Sequence, residues 1–212
     1  HIGIFGGSGS GKSYGLRVVI EELMKKSVPT IVFDPHNQMV FKDRTMENYG
    51  IDFSDKFQVL KVGEDLGINF PDLNRYELIS LIETQGELTE SMKSAYEAIL
   101  DKDSITQSSA NAFLDYLTTI SKALSDKEDD TTGYYERFSQ LVNVDSLQAV
   151  IRRFNRLLNT DIFLNTSQKL FEALKDGKTV IIQGTQKMLN LYASYAVNSC
   201  YRKRRRYVDA MT

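Results

Sequence analysis

Eight consecutive residues, Gly6-Gly7-Ser8-Gly9-Ser10-Gly11-Lys12-Ser13, match the spacing G-x-x-x-x-G-K-[ST] at every position. Triphosphate oxygens need several backbone N–H groups turned toward them. Glycines let the chain wrap that closely, in φ/ψ regions barred to other residues. Such a loop must run straight into a helix, so that the positive end of the helix dipole meets the β-phosphate. In that arrangement Lys12 reaches the β and γ oxygens as a point charge, a catalytic contribution, and the Ser13 hydroxyl is the metal ligand for Mg²⁺. The candidate nucleotide-binding residues are Gly7, Ser8, Gly9, Ser10, Gly11, Lys12, Ser13 and Tyr14.

The neighbouring sequence supplies the elements this geometry requires. Residues 1–5 read as a short buried strand, and Ser13 to about Lys26 as a helix with Leu16, Val19, Ile20 and Leu23 at helical spacing. Thr30-Ile31-Val32-Phe33 predicts a second, core strand, stopped by Asp34-Pro35-His36-Asn37, and Phe57 to Val62 alternates as a third. Strand, helix and strand in this order make a βαβ unit, hence a parallel sheet. From Asn74 to about Asn159 there are no prolines and almost no strand signal. Helical spacing recurs there instead: Tyr76, Ile79, Leu81 and Ile82; Met92, Tyr96 and Leu100; Phe113, Leu117, Ile120 and Leu124; then Val144, Leu147, Val150, Ile151, Phe154, Leu157 and Leu158. Residues 125–133 form an acidic, turn-prone loop. A short helix over Ser167 to Lys175, a strand over Thr179 to Gln183 and a long helix from about Leu189 to Arg206 close the chain. The last helix carries Tyr192, Tyr195, Ala196 and Cys200 on one side. The expected organisation is an α/β core from residues 1–73 and 161–212, interrupted by an all-helical insertion over 74–160.

Composition narrows the classes. The 212 residues are 42% apolar and 25% charged, which excludes global disorder. No run approaches the roughly 18 uninterrupted apolar residues of a spanning helix. No secretory leader opens the sequence, so a cytoplasmic location is expected. A single cysteine, Cys200, forms no internal disulfide, and only His1 and His36 are available beside it for a zinc site. Residues 151–212 hold 12 Lys and Arg against 4 Asp and Glu, whereas the first 150 hold 14 against 24. That asymmetry points to an anionic partner at the C-terminal part.

His1 to Ser13, taken with Ile31-Val32-Phe33-Asp34-Pro35-His36-Asn37, resembles the HerA/FtsK branch of P-loop ATPases. The resemblance extends to a helical insertion and to a late strand of the type Val-Ile-Ile-Gln that leads into a long helix, here 179–206. It implies a RecA-like α/β fold with a mostly parallel sheet, Mg-ATP as cofactor, and a homo-oligomeric ring, usually a hexamer. It also implies ATP-driven movement of double-stranded DNA, and a partner nuclease of the NurA type. The family's Walker B strand, apolar residues followed by Asp-Glu, belongs after the long helix, and no four-residue apolar run followed by Asp-Glu occurs in these 212 residues. The chain is therefore expected to be a fragment of a longer protein. Two rival readings are a secretion or conjugation motor of the same branch, and a nucleotide-gated interaction module without sustained turnover.

Several residues carry both a functional and a plain structural reading. Asp34, the second candidate catalytic group, either stands near the Mg²⁺ shell and positions water or caps the turn before Pro35. His36 is either a ligand contact at a strand end or a solvated loop residue. Arg152, with Arg153 and Arg156 as alternatives, either neutralises charge on a neighbouring subunit's γ-phosphate or lies on a solvated basic helix face. Gln183 and Gln186 either sense the γ-phosphate or are ordinary strand-end residues. Arg202-Lys203-Arg204-Arg205-Arg206 either tracks DNA phosphates or complements a helix C-terminus. Cys200 reads as core packing, and Tyr134-Tyr135 as a candidate contact for a partner.

Overall fold

The computed structural model describes residues 5, 7, 9–39, 41, 52–102, 109–127, 130–164 and 168–209. Of the expected strand over residues 1–5, only Phe5 lies among them. The chain divides into two compact units, residues 1–66 with 166–212, and residues 67–165. In the first unit α1 (Lys12–Lys25) leads to β1 (Thr30–Asp34), and β2 (Phe57–Lys61) follows. The second unit holds a 3-10 turn (Phe70–Asp72) and helices α2 (Arg75–Glu83), α3 (Glu90–Lys102), α4 (Ala110–Ser125), α5 (Tyr134–Phe138) and α6 (Val144–Leu158). The chain returns to the first unit through α7 (Gln168–Lys175), β3 (Thr179–Gln183) and α8 (Gln186–Asp209).

The three strands make a parallel sheet in the order β1-β3-β2. Last in sequence, β3 lies in the middle, paired with Thr30–Asp34 on one side and Phe57–Lys61 on the other. Its Val180, Ile181 and Ile182 are fully enclosed, which is why that strand reads as an unbroken β-branched run. β1, expected as a core strand, is only half-buried up to Asp34, because it is an edge of the described sheet. Ile181 anchors a core with Ile20, Met24, Met39, Phe41 and Phe53, and Val32 and Phe57 pack against it. Each such side chain taken out of water contributes about 1.5–3 kcal/mol.

The rotation of α1 differs from the expected one. Ile20 and Met24 are buried, whereas Leu16 and Val19 remain exposed. The core with Met39, Phe41, Phe53 and Ile181 takes Ile20 and Met24, and on the same side Arg17 donates from its guanidinium to the Gln38 carbonyl at 2.7 Å and stands over the Phe41 ring. In α8, Tyr192, Tyr195 and Ala196 are buried as their spacing predicts. Cys200 is only half-buried, and Ser199 takes the enclosed position instead.

In the second unit the described residues form helices and turns. Asn74 starts α2 with a capping box: its side chain accepts from the Tyr76 and Glu77 N–H groups, and the Glu77 carboxylate accepts from the Asn74 N–H. Tyr76, expected on the core face of α2, is exposed and stacks under the Arg75 guanidinium, while Leu78 is buried. The capping contacts set α2's first turn, and Tyr76 falls on its outer side. Phe113, Leu117, Ile120 and Leu124 of α4 are all buried, as are Leu147, Val150, Phe154 and Leu157 of α6. Phe70, Phe113, Phe154 and Phe163 form one ring cluster with centroids between 5.2 and 6.1 Å apart. Tyr134 and Tyr135 sit within the unit, Tyr134 edge-on to Tyr116 and Tyr135 under the Lys127 ammonium.

Candidate functional site

The glycine-rich loop is built by backbone geometry. Gly9 and Gly11 hold φ of 78° and 81°, the left-handed region that only glycine adopts without cost. Among the described residues, a Cβ at Gly7, Gly9 or Gly11 would meet nothing within 4 Å, which leaves room beside these three glycines. Gly11 precedes the first turn of α1, which has neither a side-chain cap nor an acidic residue. The leading N–H groups of α1 therefore face that space with their partial positive charge uncovered by a side chain. Lys12 folds back over the loop, its ammonium donating to the Gly7 carbonyl and, at 3.5 Å, to the Ser10 hydroxyl. Both acceptors are neutral, so the charge of Lys12 stays in place above the loop. Ser13 and Tyr14 are exposed in the first turn. Gly6 and Ser8 lie outside the described residues.

A second group of polar residues stands at the C-terminal edge of the sheet, where open parallel sheets bind their ligands. Asp34 is 4% exposed at the end of β1. One carboxylate oxygen, Oδ2, accepts from the Met39 N–H at 2.8 Å and from Gln183 Nε2 at 3.3 Å. Asp34 therefore closes the turn over residues 34–39 and is also tied to the central strand. Gln183, considered above as a sensor or a plain strand end, spends its amide on Asp34. Gln186 bonds Asn190 along the first turn of α8 and is exposed, as is His36. The sequence offered no sign that Asp34 and Gln183, 149 positions apart, would be partners. Only the register of β1 against β3 reveals it.

Residues 1–203 match the family model described as Helicase HerA, central domain. The chain belongs to the HerA central-domain family. It is a HerA-type P-loop ATPase domain, built as an α/β structure with a small parallel sheet and many helices. No curated protein and no solved structure matches it. The open, glycine-lined loop fits the nucleotide that a HerA-type domain implies. Among the described residues no group of three or more His, Cys, Asp or Glu could hold a metal ion. No described helix is long and apolar enough to cross a membrane.

The three candidate arginines of the HerA-type domain separate. Arg153 is committed to backbone: its guanidinium donates to the carbonyls of Gly86 at 3.1 Å, Ala149 at 3.1 Å and Glu87 at 3.0 Å. Arg152 and Arg156 are exposed on α6. In the basic segment Lys203 stands 3.4 Å over the Phe171 ring of α7, and Arg202 donates to Ser199. Arg204, Arg205 and Arg206 are exposed, Arg205 at 3.9 Å from Asp209. Burial pushes the Cys200 thiol up from its ordinary range.

Proposed function

We propose that this domain is the ATP-hydrolysing motor of a HerA/FtsK-type ring translocase acting on double-stranded DNA, with a RecA-like core and a hexameric assembly. The observation that carries the reading is the set of open glycines Gly7, Gly9 and Gly11, with Lys12 beginning an uncapped α1, in a chain that matches the HerA central domain over residues 1–203. Bound Mg-ATP supplies the phosphoanhydride and the metal charge. Lys12 and the N–H groups of the loop and α1 hold the negative oxygens, and the charge they stabilise grows as the terminal bond breaks. The Ser13 hydroxyl orients the metal. Asp34, buried at the strand end, orients water beside the site. Arg152, exposed on α6, reaches a neighbouring subunit's nucleotide and stabilises the transferring phosphoryl group. Arg204, Arg205 and Arg206 grip DNA phosphates. The assembly works in the cytoplasm with a nuclease partner of the NurA type.

The deciding measurement is the steady-state ATPase rate of the full protein with and without duplex DNA. Several-fold stimulation by duplex is the expected result. Stimulation by a protein cargo alone would move the reading to a secretion-type motor. Nucleotide binding without sustained turnover would move it to a nucleotide-gated interaction module.

A further inference from the structure

We infer that Gln183 is a positioning residue for the Asp34 carboxylate, an inference that rests on the ATPase reading above and deepens it. Asp34 and Gln183 are registered partners on adjacent parallel strands, so their side chains leave the same face of the sheet side by side. Asp34 is 4% exposed and Gln183 9%, which shields their contact from competing water. The Gln183 carbonyl also accepts from the Val62 N–H at 2.9 Å, so the backbone that carries this amide is fixed by the strands on both of its sides. A lysine or arginine in this place would hold Asp34 too, but would cancel its negative charge. The neutral amide restrains one oxygen and leaves the charge in place. That combination suits a carboxylate that must orient a neighbour and is more than a turn cap needs, since the Met39 N–H alone already closes the turn.

The same loop is also held from the motif helix. Arg17 of α1 donates to the Gln38 carbonyl, next to Met39, whose N–H reaches Asp34. Arg17, Gln38, Met39, Asp34 and Gln183 therefore form a continuous chain from the helix behind Lys12 to the central strand. Gln183 is its fixed end.

The test uses the full protein and Gln183→Met, which keeps the volume and removes the donor. We expect kcat for Mg-ATP to fall about 10- to 100-fold, the range for losing the partner that orients a functional ligand, while KM stays within about twofold. In nucleotide-free protein the Met39 amide should exchange its hydrogen several-fold faster, a readout independent of turnover. In an Asp34→Asn background Gln183→Met should lower kcat no further, because no carboxylate remains to be held. Gln183→Asn shortens the arm by one methylene and is read in the same way should Gln183→Met fail to fold. Unchanged kcat and unchanged Met39 exchange would overturn the inference. So would a kcat loss that persists in full beside Asp34→Asn, which would make Gln183 a general packing residue. If Lys12→Ala keeps its turnover, the ATPase reading of the loop falls, whereas Met39 exchange still decides whether Gln183 holds Asp34.

Discussion

Lys12 carries a charge that neutral partners, the Gly7 carbonyl and the Ser10 hydroxyl, hold above the loop without cancelling it. Removing it with Lys12→Ala takes away stabilisation that matters only when phosphate oxygens are present. Hydrolysis should therefore fall by at least about 100-fold, the scale for losing one electrostatic contact in a transition state, with the thermal midpoint nearly unchanged. Coupled-assay kinetics beside a melting curve checks both halves. Arg153 is the opposite case, a cation whose work is structural. It ties α6 to the carbonyls of Gly86 and Glu87, and Gly86 has φ of 140°, where a Cβ would come within 3.3 Å of the Arg153 Nε. Arg153→Ala should cost roughly 1–3 kcal/mol in denaturant unfolding, because three carbonyls, that of Ala149 on a buried residue, lose a charged donor. Arg153→Lys should recover only part of this, since a single ammonium cannot reproduce the fork.

At the scale of elements, the end of α8 shows how a helix sorts a run of like charges. Successive residues turn by about 100°, so Arg202 to Arg206 surround the helix instead of lining one face. Arg202 and Lys203 are drawn toward Ser199 and Phe171, and Arg204, Arg205 and Arg206 remain outward. If these three meet DNA, replacing them by Ala should weaken duplex binding to all sequences alike. The slope of log affinity against log salt should flatten by about one unit per lost phosphate contact. Basal ATPase should persist. Titrations at several salt concentrations measure the slope directly, and an unchanged slope with loss of oligomer would place the cluster at a subunit contact. In the helical unit, Phe154 of α6 touches Phe70, Phe113 and Phe163. Phe154→Ala should destabilise that unit by about 3–5 kcal/mol, read from denaturant midpoints.

The whole molecule is two units, and the second begins and ends at adjoining points. The Ile68 N–H donates to the Ile162 carbonyl at 2.7 Å, and a Cβ on Gly67 would lie 2.5 Å from Leu164 Cβ and 2.8 Å from the Ile162 carbonyl oxygen. Two chain segments are thus pinched together where only glycine fits. Gly67→Ala should cost about 1–3 kcal/mol through backbone shifts. Because the crowding lies wholly inside residues 67–165, hydrogen exchange should quicken in α4 and α6 and stay constant in β3. Uniform quickening across both units would show that they unfold as one.

Much of this was legible in the residues themselves. The motif that carries the proposed nucleotide chemistry is written in eight consecutive positions, because that chemistry depends on local backbone freedom and one charge at a fixed spacing. The strands over 30–34, 57–61 and 179–183 and the amphipathic stripes of α4 and α6 were legible for a similar reason: periodicity is a local property that burial then reads out. The family resemblance followed from the first 37 residues and holds over residues 1–203. What no local pattern contains is the choice of partners. That β3 inserts between β1 and β2, that Asp34 therefore meets Gln183, that α1 turns Ile20 and Met24 rather than Leu16 and Val19 inward, and that Arg153 rather than Arg152 is spent on backbone all depend on register and rotation. Those are settled by contacts between segments far apart in the chain, whose energies exist only once the tertiary structure has brought them together.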